Sequence, residues 1–204
     1  MFDDMLRALK DRLFEPIARA IGPVLSPDWI TLVAFLFGAL AAFAASQRSM
    51  TAALVLWLAS RFFDGLDGTA ARVHGLQSDF GGYLDILLDF VVYAAIPIGL
   101  VIGYPSRDVA IAALVLMGSY FVNAASWMYL SAILEKRSAG AAMTGELTTI
   151  TMPPAIIAGT ETVIFFVLFL IVPRYLTALF AIMAVLVCMG VIQRLIWAKR
   201  HLTE

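Results

Sequence analysis

The chain has 204 residues, 62% hydrophobic and 14% charged, with a formal net charge of −1. Soluble domains carry roughly 25% charged and about 45–50% apolar residues, so the composition excludes an ordinary soluble domain. The near-zero charge also leaves no basic footprint for nucleic acid. What remains is an all-α integral membrane protein of a size for a single membrane domain over residues 1–204. Cys188 is the single cysteine, so no disulfide within the chain is expected.

Residues 1–21 mix charges and hydrophobes and lack the apolar core of a cleavable leader. Phe2, Met5, Leu6, Leu9, Leu13 and Ile17 recur at helical spacing, with Asp3, Arg7, Lys10 and Glu15 among the residues opposite. The pattern predicts an amphipathic helix lying in the membrane interface, bent near Pro16. The plainer alternative is a helix packed on a protein partner. Gly22-Pro23 and Ser26-Pro27 end this stretch, and Ser26 or Asp28 can cap the helix that follows.

Hydrophobic segments follow at about residues 29–46, 50–72, 80–104, 108–135, 154–172 and 175–197. Each reaches or approaches the roughly 20 residues needed to span a bilayer, so six transmembrane helices are expected over 29–197. Six spans place both termini on one side. A cytoplasmic placement puts Arg7, Lys10, Arg12, Arg19, Arg72, Lys136, Arg137, Arg194, Lys199 and Arg200 inside and leaves Arg48, Arg107 and Arg174 outside. The positive-inside rule favours that orientation, with the turn at 73–77 facing the cytoplasm. The connector at about 136–153 is rich in small residues and reads either as a flap over a site or as a plain link.

The polar exception to this chain lies between Asp64 and Asp89. Asp64, Asp67, Gly68, Ala71 and Arg72 share one helix face, because steps of three and four return to the same side. Gly81, Asp85 and Asp89 share a face of a second helix, whereas Asp79 points elsewhere. A short turn, Val73 to Gln77, makes the two helices antiparallel neighbours and brings Asp64, Asp67, Asp85 and Asp89 together. Four carboxylates at membrane depth repel one another without compensation, and two divalent cations would balance them. Oxygen ligands at this density suit Mg²⁺ or Mn²⁺ rather than Zn²⁺. Only His74 and His201 are present as histidines, and neither lies in a cluster.

The pattern Asp64-x2-Asp67-Gly68-x2-Ala71-Arg72-x8-Gly81-x3-Asp85-x3-Asp89 resembles the complete motif of the CDP-alcohol phosphotransferase family, at every fixed position and spacing. The resemblance implies a six-helix membrane transferase that moves a phosphatidyl group from CDP-diacylglycerol to a small alcohol and releases CMP. It implies Asp64, Asp67 and Asp85 on one metal ion, and Asp64, Asp85 and Asp89 around a second. Asp89, last on its helix face, is the expected general base for the acceptor hydroxyl. Asp67, Gly68, Ala71, Arg72 and Gly81 are the expected nucleotide-binding positions: the small residues let the nucleotide approach two helix backbones, and Arg72 is suited to the diphosphate. Glycerol 3-phosphate is favoured as acceptor because Lys136 and Arg137 form a cytoplasmic basic pair; inositol phosphate, serine or another polyol are the alternatives. A homodimer in a bacterial inner membrane is expected, with membrane lipid around it.

Several residues keep two readings. Arg61 either tunes Asp64 or only neutralises it, and Arg72 either binds diphosphate or snorkels to the interface. Glu161 is functional or held by a neighbouring Thr or Arg. Asn123, Ser126 and Tyr129 either line an acceptor pocket or bond helix to helix. A divalent-cation carrier is the rival of another class; it accounts for the carboxylates but not for Ala71, Arg72 and Gly81.

Overall fold

The computed structural model describes residues 14–21, 25–137 and 159–202. Among them all regular structure is helical: α1 (14–21), α2 (Pro27–Ser46), α3 (Met50–His74), α4 (Asp79–Gly103), α5 (Arg107–Lys136), α6 (Gly159–Ile171) and α7 (Leu176–Leu202), with a 3₁₀ turn at Pro173–Tyr175 before α7. The chain divides into two compact units, residues 1–104 and 105–204. The amphipathic pattern at 1–13 and most of the 136–153 connector lie outside the described residues.

In the first unit α2 packs against both α3 and α4. Small residues make the approach close. A Cβ added at Gly99 or Gly103 would run into the carbonyl oxygens of Ala42 and Ala45, and one at Gly38 would meet Val92 Cγ2 at 2.6 Å. With lipid as apolar as leucine, such backbone-to-backbone packing substitutes for hydrophobic exclusion as the source of helix association. Helix α1 lays Phe14, Ala18 and Ile21 against Ile30 of α2 and Leu66 and Ala70 of α3. Ala18 is fully buried, and its carbonyl lies 3.0 Å from His74 Nε2, so this part of the amphipathic stretch packs on protein through its apolar face.

In the second unit α5 runs against α7, and Phe169 of α6 meets Phe180 of α7 edge to face at 4.8 Å, with Phe166 beside Phe169 at 5.3 Å. Ser106 caps α5 by accepting the Val109 N–H. Pro97 sits inside α4 without ending it, a break that membrane helices tolerate.

Among the described residues four helical stretches are long and apolar enough to cross a bilayer: Pro27–Ser46, Asp79–Gly103, Arg107–Lys136 and Pro173–Leu202. They agree with four of the six expected segments. Helix α3 has the length, at 25 residues, but carries Arg61 near its midpoint and Asp64, Asp67 and Arg72 along its second half. The segment expected at 154–172 begins outside the described residues, and its described part, α6, has 13 residues.

Candidate active site

The turn joining α3 to α4 sets the register of the site. Gly75 adopts φ 64°, the left-handed conformation glycine takes freely, and Leu76 N–H returns to the Ala71 carbonyl at 2.9 Å. Ser78 then caps α4 by accepting Gly81 N–H at 3.0 Å. The reversal is tight, so residues about equally far from the turn on each helix lie at similar depth. Asp64 precedes Gly75 by eleven residues and Asp85 follows it by ten, the last seven of them within α4.

The result is a three-carboxylate cluster. Oxygens of Asp64, Asp85 and Asp89, all half-buried, lie within 4.8 Å of one another. These side chains line a small cleft together with Thr31 and Phe35 of α2 and Arg61 of α3. Asp67, the fourth expected carboxylate, is 5% exposed and lies outside that group. It accepts the Thr31 hydroxyl at 2.7 Å and the Gly68 N–H at 2.5 Å. Asp79 is exposed, away from the cluster as expected.

Arg61 lies within the cluster. Its Nη2 donates to Asp89 Oδ1 at 2.8 Å and its Nη1 to Asp89 Oδ2 at 3.3 Å; Nη1 also lies 3.4 Å from Asp64 Oδ1 and donates to Tyr93 Oη at 3.2 Å. The Trp57 ring lies below the guanidinium, 4.6 Å from centroid to Cζ. Arg61 thus pairs more closely with Asp89 than with the expected Asp64. Among the described residues three carboxylates face one guanidinium, which leaves an excess of negative charge that a divalent cation would balance. The carboxylate donor set fits Mg²⁺ or Mn²⁺ on chemical grounds.

The remaining motif residues surround this cluster. Arg72 donates to Thr69 Oγ1 at 3.2 Å, and a Cβ at Gly68 would meet Arg72 Nη1 at 3.3 Å, so the glycine leaves room for the guanidinium. A Cβ at Gly81 would lie 3.1 Å from both Asp28 Oδ1 and Ser78 Oγ, which brings the first turn of α2 over the start of α4. Ala71 is half-buried on the Arg72 side of α3. Sequence reasoning missed Thr31, Tyr93 and Trp57. The last two follow Asp89 and precede Arg61 by one helical turn, a usable signal; Thr31, from another helix, offered none.

In the second unit, Arg194 of α7 is 3% exposed and donates to Asn123 Oδ1 at 3.1 Å and Ser126 Oγ at 3.3 Å on α5, so these two residues bond helix to helix. Tyr129 is 72% exposed and lies apart from that network. Arg137 donates to the Leu202 carbonyl at 2.8 Å and Lys136 is exposed. Glu161 is half-buried in the first turn of α6.

The family description CDP-alcohol phosphatidyltransferase matches residues 24–196. The chain is 34% identical over 153 residues to the inner membrane protein YnjF of Escherichia coli K12, covering 75% of this chain and 73% of that one. It is 34% identical over 125 residues to the archaetidylinositol phosphate synthase of Pyrococcus horikoshii, covering 58% and 65%. Among solved structures, the phosphatidylinositol phosphate synthase PgsA1 of Mycobacterium tuberculosis with CDP-DAG bound superposes with a TM-score of 0.71 at 23% identity, covering 90% and 92%. The same enzyme in complex with manganese and citrate gives 0.67 at 25% identity, covering 88% and 86%.

Proposed function

Because the chain belongs to the CDP-alcohol phosphatidyltransferase family and is an integral membrane enzyme of phosphatidyl transfer, we propose that it moves the phosphatidyl group of CDP-diacylglycerol to inositol phosphate. The observation that carries the site assignment is the meeting of Asp64, Asp85 and Asp89 from two helices within 4.8 Å. The acceptor differs from the one favoured on sequence. Lys136 and Arg137 suggested glycerol 3-phosphate, but Arg137 is engaged by the Leu202 carbonyl, and the relatives named above for their product are synthases of archaetidylinositol phosphate and phosphatidylinositol phosphate.

Asp64, Asp85 and Asp89, with Asp67 beside them, would hold one or two Mg²⁺ or Mn²⁺ ions. Bound there, such ions neutralise the diphosphate and stabilise the charge on the leaving oxygen. Arg72 faces the diphosphate, and Gly68, Ala71 and Gly81 keep the helix surfaces low enough for the nucleotide to approach. Asp89 takes the proton from the acceptor hydroxyl. The acceptor oxygen then bonds to the β-phosphorus, the bond to the bridging oxygen breaks, and CMP departs with that oxygen. Thr31 holds Asp67 in place by its hydroxyl.

The topology is six spans within one membrane domain, with the site and both termini cytoplasmic. Ten basic residues against three support that orientation, and the length of α3 supports its crossing despite its charges. A divalent-cation carrier would have no use for Gly68, Ala71, Arg72 and Gly81 around the carboxylates.

Purified enzyme supplied with CDP-diacylglycerol and one acceptor at a time tests the assignment. Inositol phosphate is expected to release CMP at least about tenfold faster than glycerol 3-phosphate or serine, the margin expected when buried polar groups are left unpaired by the wrong substrate. Equal or faster release with glycerol 3-phosphate would return the acceptor to the sequence expectation.

A further inference from the structure

We propose that Arg61 is a built-in counter-cation that holds the place of a divalent cation in the unloaded carboxylate cluster and yields Asp89 when the metal enters. The proposal rests on the reading of the cluster as a metal site. Both oxygens of Asp89 carry an Arg61 N–H, at 2.8 and 3.3 Å, and Asp64 Oδ1 lies 3.4 Å from the same guanidinium. One side chain therefore draws together two carboxylates, on α3 and α4, that would otherwise repel. Its grip is incomplete: Arg61 Nε is buried and has no hydrogen-bond partner among the described residues. A guanidinium fixed for structure alone would be expected to satisfy that donor. Here the carboxylates hold it by charge, with the Trp57 ring at 4.6 Å offering a surface on which it can slide without losing all stabilisation.

The arrangement has a functional consequence. While Arg61 occupies both oxygens, Asp89 is masked as a proton acceptor. With Asp64 and Asp89 turned to a bound cation, Arg61 would keep only its contacts to Tyr93 and Trp57, and one Asp89 oxygen would be free. The base thus becomes available only in the loaded site.

The experiment measures Mn²⁺ binding by calorimetry, together with thermal unfolding with and without Mn²⁺, on the full chain in detergent. Arg61→Gln removes the competing charge. It is expected to tighten Mn²⁺ binding at least about tenfold, since a unit charge a few ångströms from a dication opposes its binding strongly. The metal-free variant should melt below wild type, and Mn²⁺ should raise its Tm by more than it raises the wild type's. Arg61→Lys keeps the charge but loses the two-pronged grip, so its affinity should lie between the two; it decides the question if the glutamine variant fails to fold. Unchanged or weaker Mn²⁺ binding in these variants, with wild type binding normally, would overturn the proposal and make Arg61 a support for the metal site. Absence of Mn²⁺ binding in wild type itself would overturn the metal reading and this proposal with it.

Discussion

Asp85→Asn is expected to lose at least about 10³-fold in phosphatidyl transfer, the equivalent of roughly 4 kcal/mol of transition-state stabilisation, while the metal-free protein becomes more resistant to heat. The two changes have one cause. Asp85 stands with Asp64 and Asp89 in the cluster, but among the described residues the Arg61 ion pairs go to Asp64 and Asp89 and none to Asp85. Its charge is therefore compensated least, and in the unloaded protein it adds repulsion without a partner. Asparagine keeps the shape and removes that charge. A functional carboxylate that destabilises the empty fold is the expected signature of a residue retained for chemistry. Turnover and Tm of the metal-free variant, measured on one preparation, check both halves. A Tm below wild type would mean that Asp85 has a structural partner, and near-normal turnover would remove it from the site.

Asp89→Asn is expected to cost about 10²–10⁴-fold in turnover, the usual range for loss of a general base, with CDP-diacylglycerol binding changed far less. In the proposed site the remaining carboxylates and Arg72 would still hold the donor. In contrast to Asp85, the metal-free Asp89 variant should melt below wild type, because it strands Arg61 without its closest partner at 2.8 Å. If Asp89 served only as a metal ligand, high Mn²⁺ would restore the rate. A missing base is not replaced by more metal, so the rate should stay low and flat across a Mn²⁺ titration. Recovery toward wild type at high Mn²⁺ would rule out the base assignment.

Much of this site was legible because its members share two helix faces joined by a short turn. The steps from Asp64 to Arg72 and from Gly81 to Asp89 are helical repeats, and Gly75 at φ 64° is the residue such a reversal calls for. What the pattern could not supply was the contribution of α2. Thr31 is 36 residues from Asp67 in the chain, and only the packing of α2 on α3 brings its hydroxyl to the carboxylate. The choice between Asp64 and Asp89 as the partner of Arg61 had the same origin. Local spacing pointed to Asp64, three residues on, and the tertiary fold placed Asp89 closer. Likewise Asn123 and Ser126 are assigned by Arg194, some 70 residues later in the chain, which bonds both. The apolar segments were readable from length and hydropathy where charges are sparse; α3 combines a span's length with a charged face, and no single criterion describes both.

The dependence of CMP release on the carboxylate-bound metal and on the acceptor together is the most direct test of metal-assisted transfer at this cluster. Purified enzyme is stripped with a chelator, supplied with CDP-diacylglycerol and inositol phosphate, and then titrated with Mg²⁺ or Mn²⁺. CMP is expected only when metal and acceptor are both present, one CMP for each phosphatidylinositol phosphate formed. CMP release that survives complete chelation, or that proceeds equally without the acceptor, would contradict it.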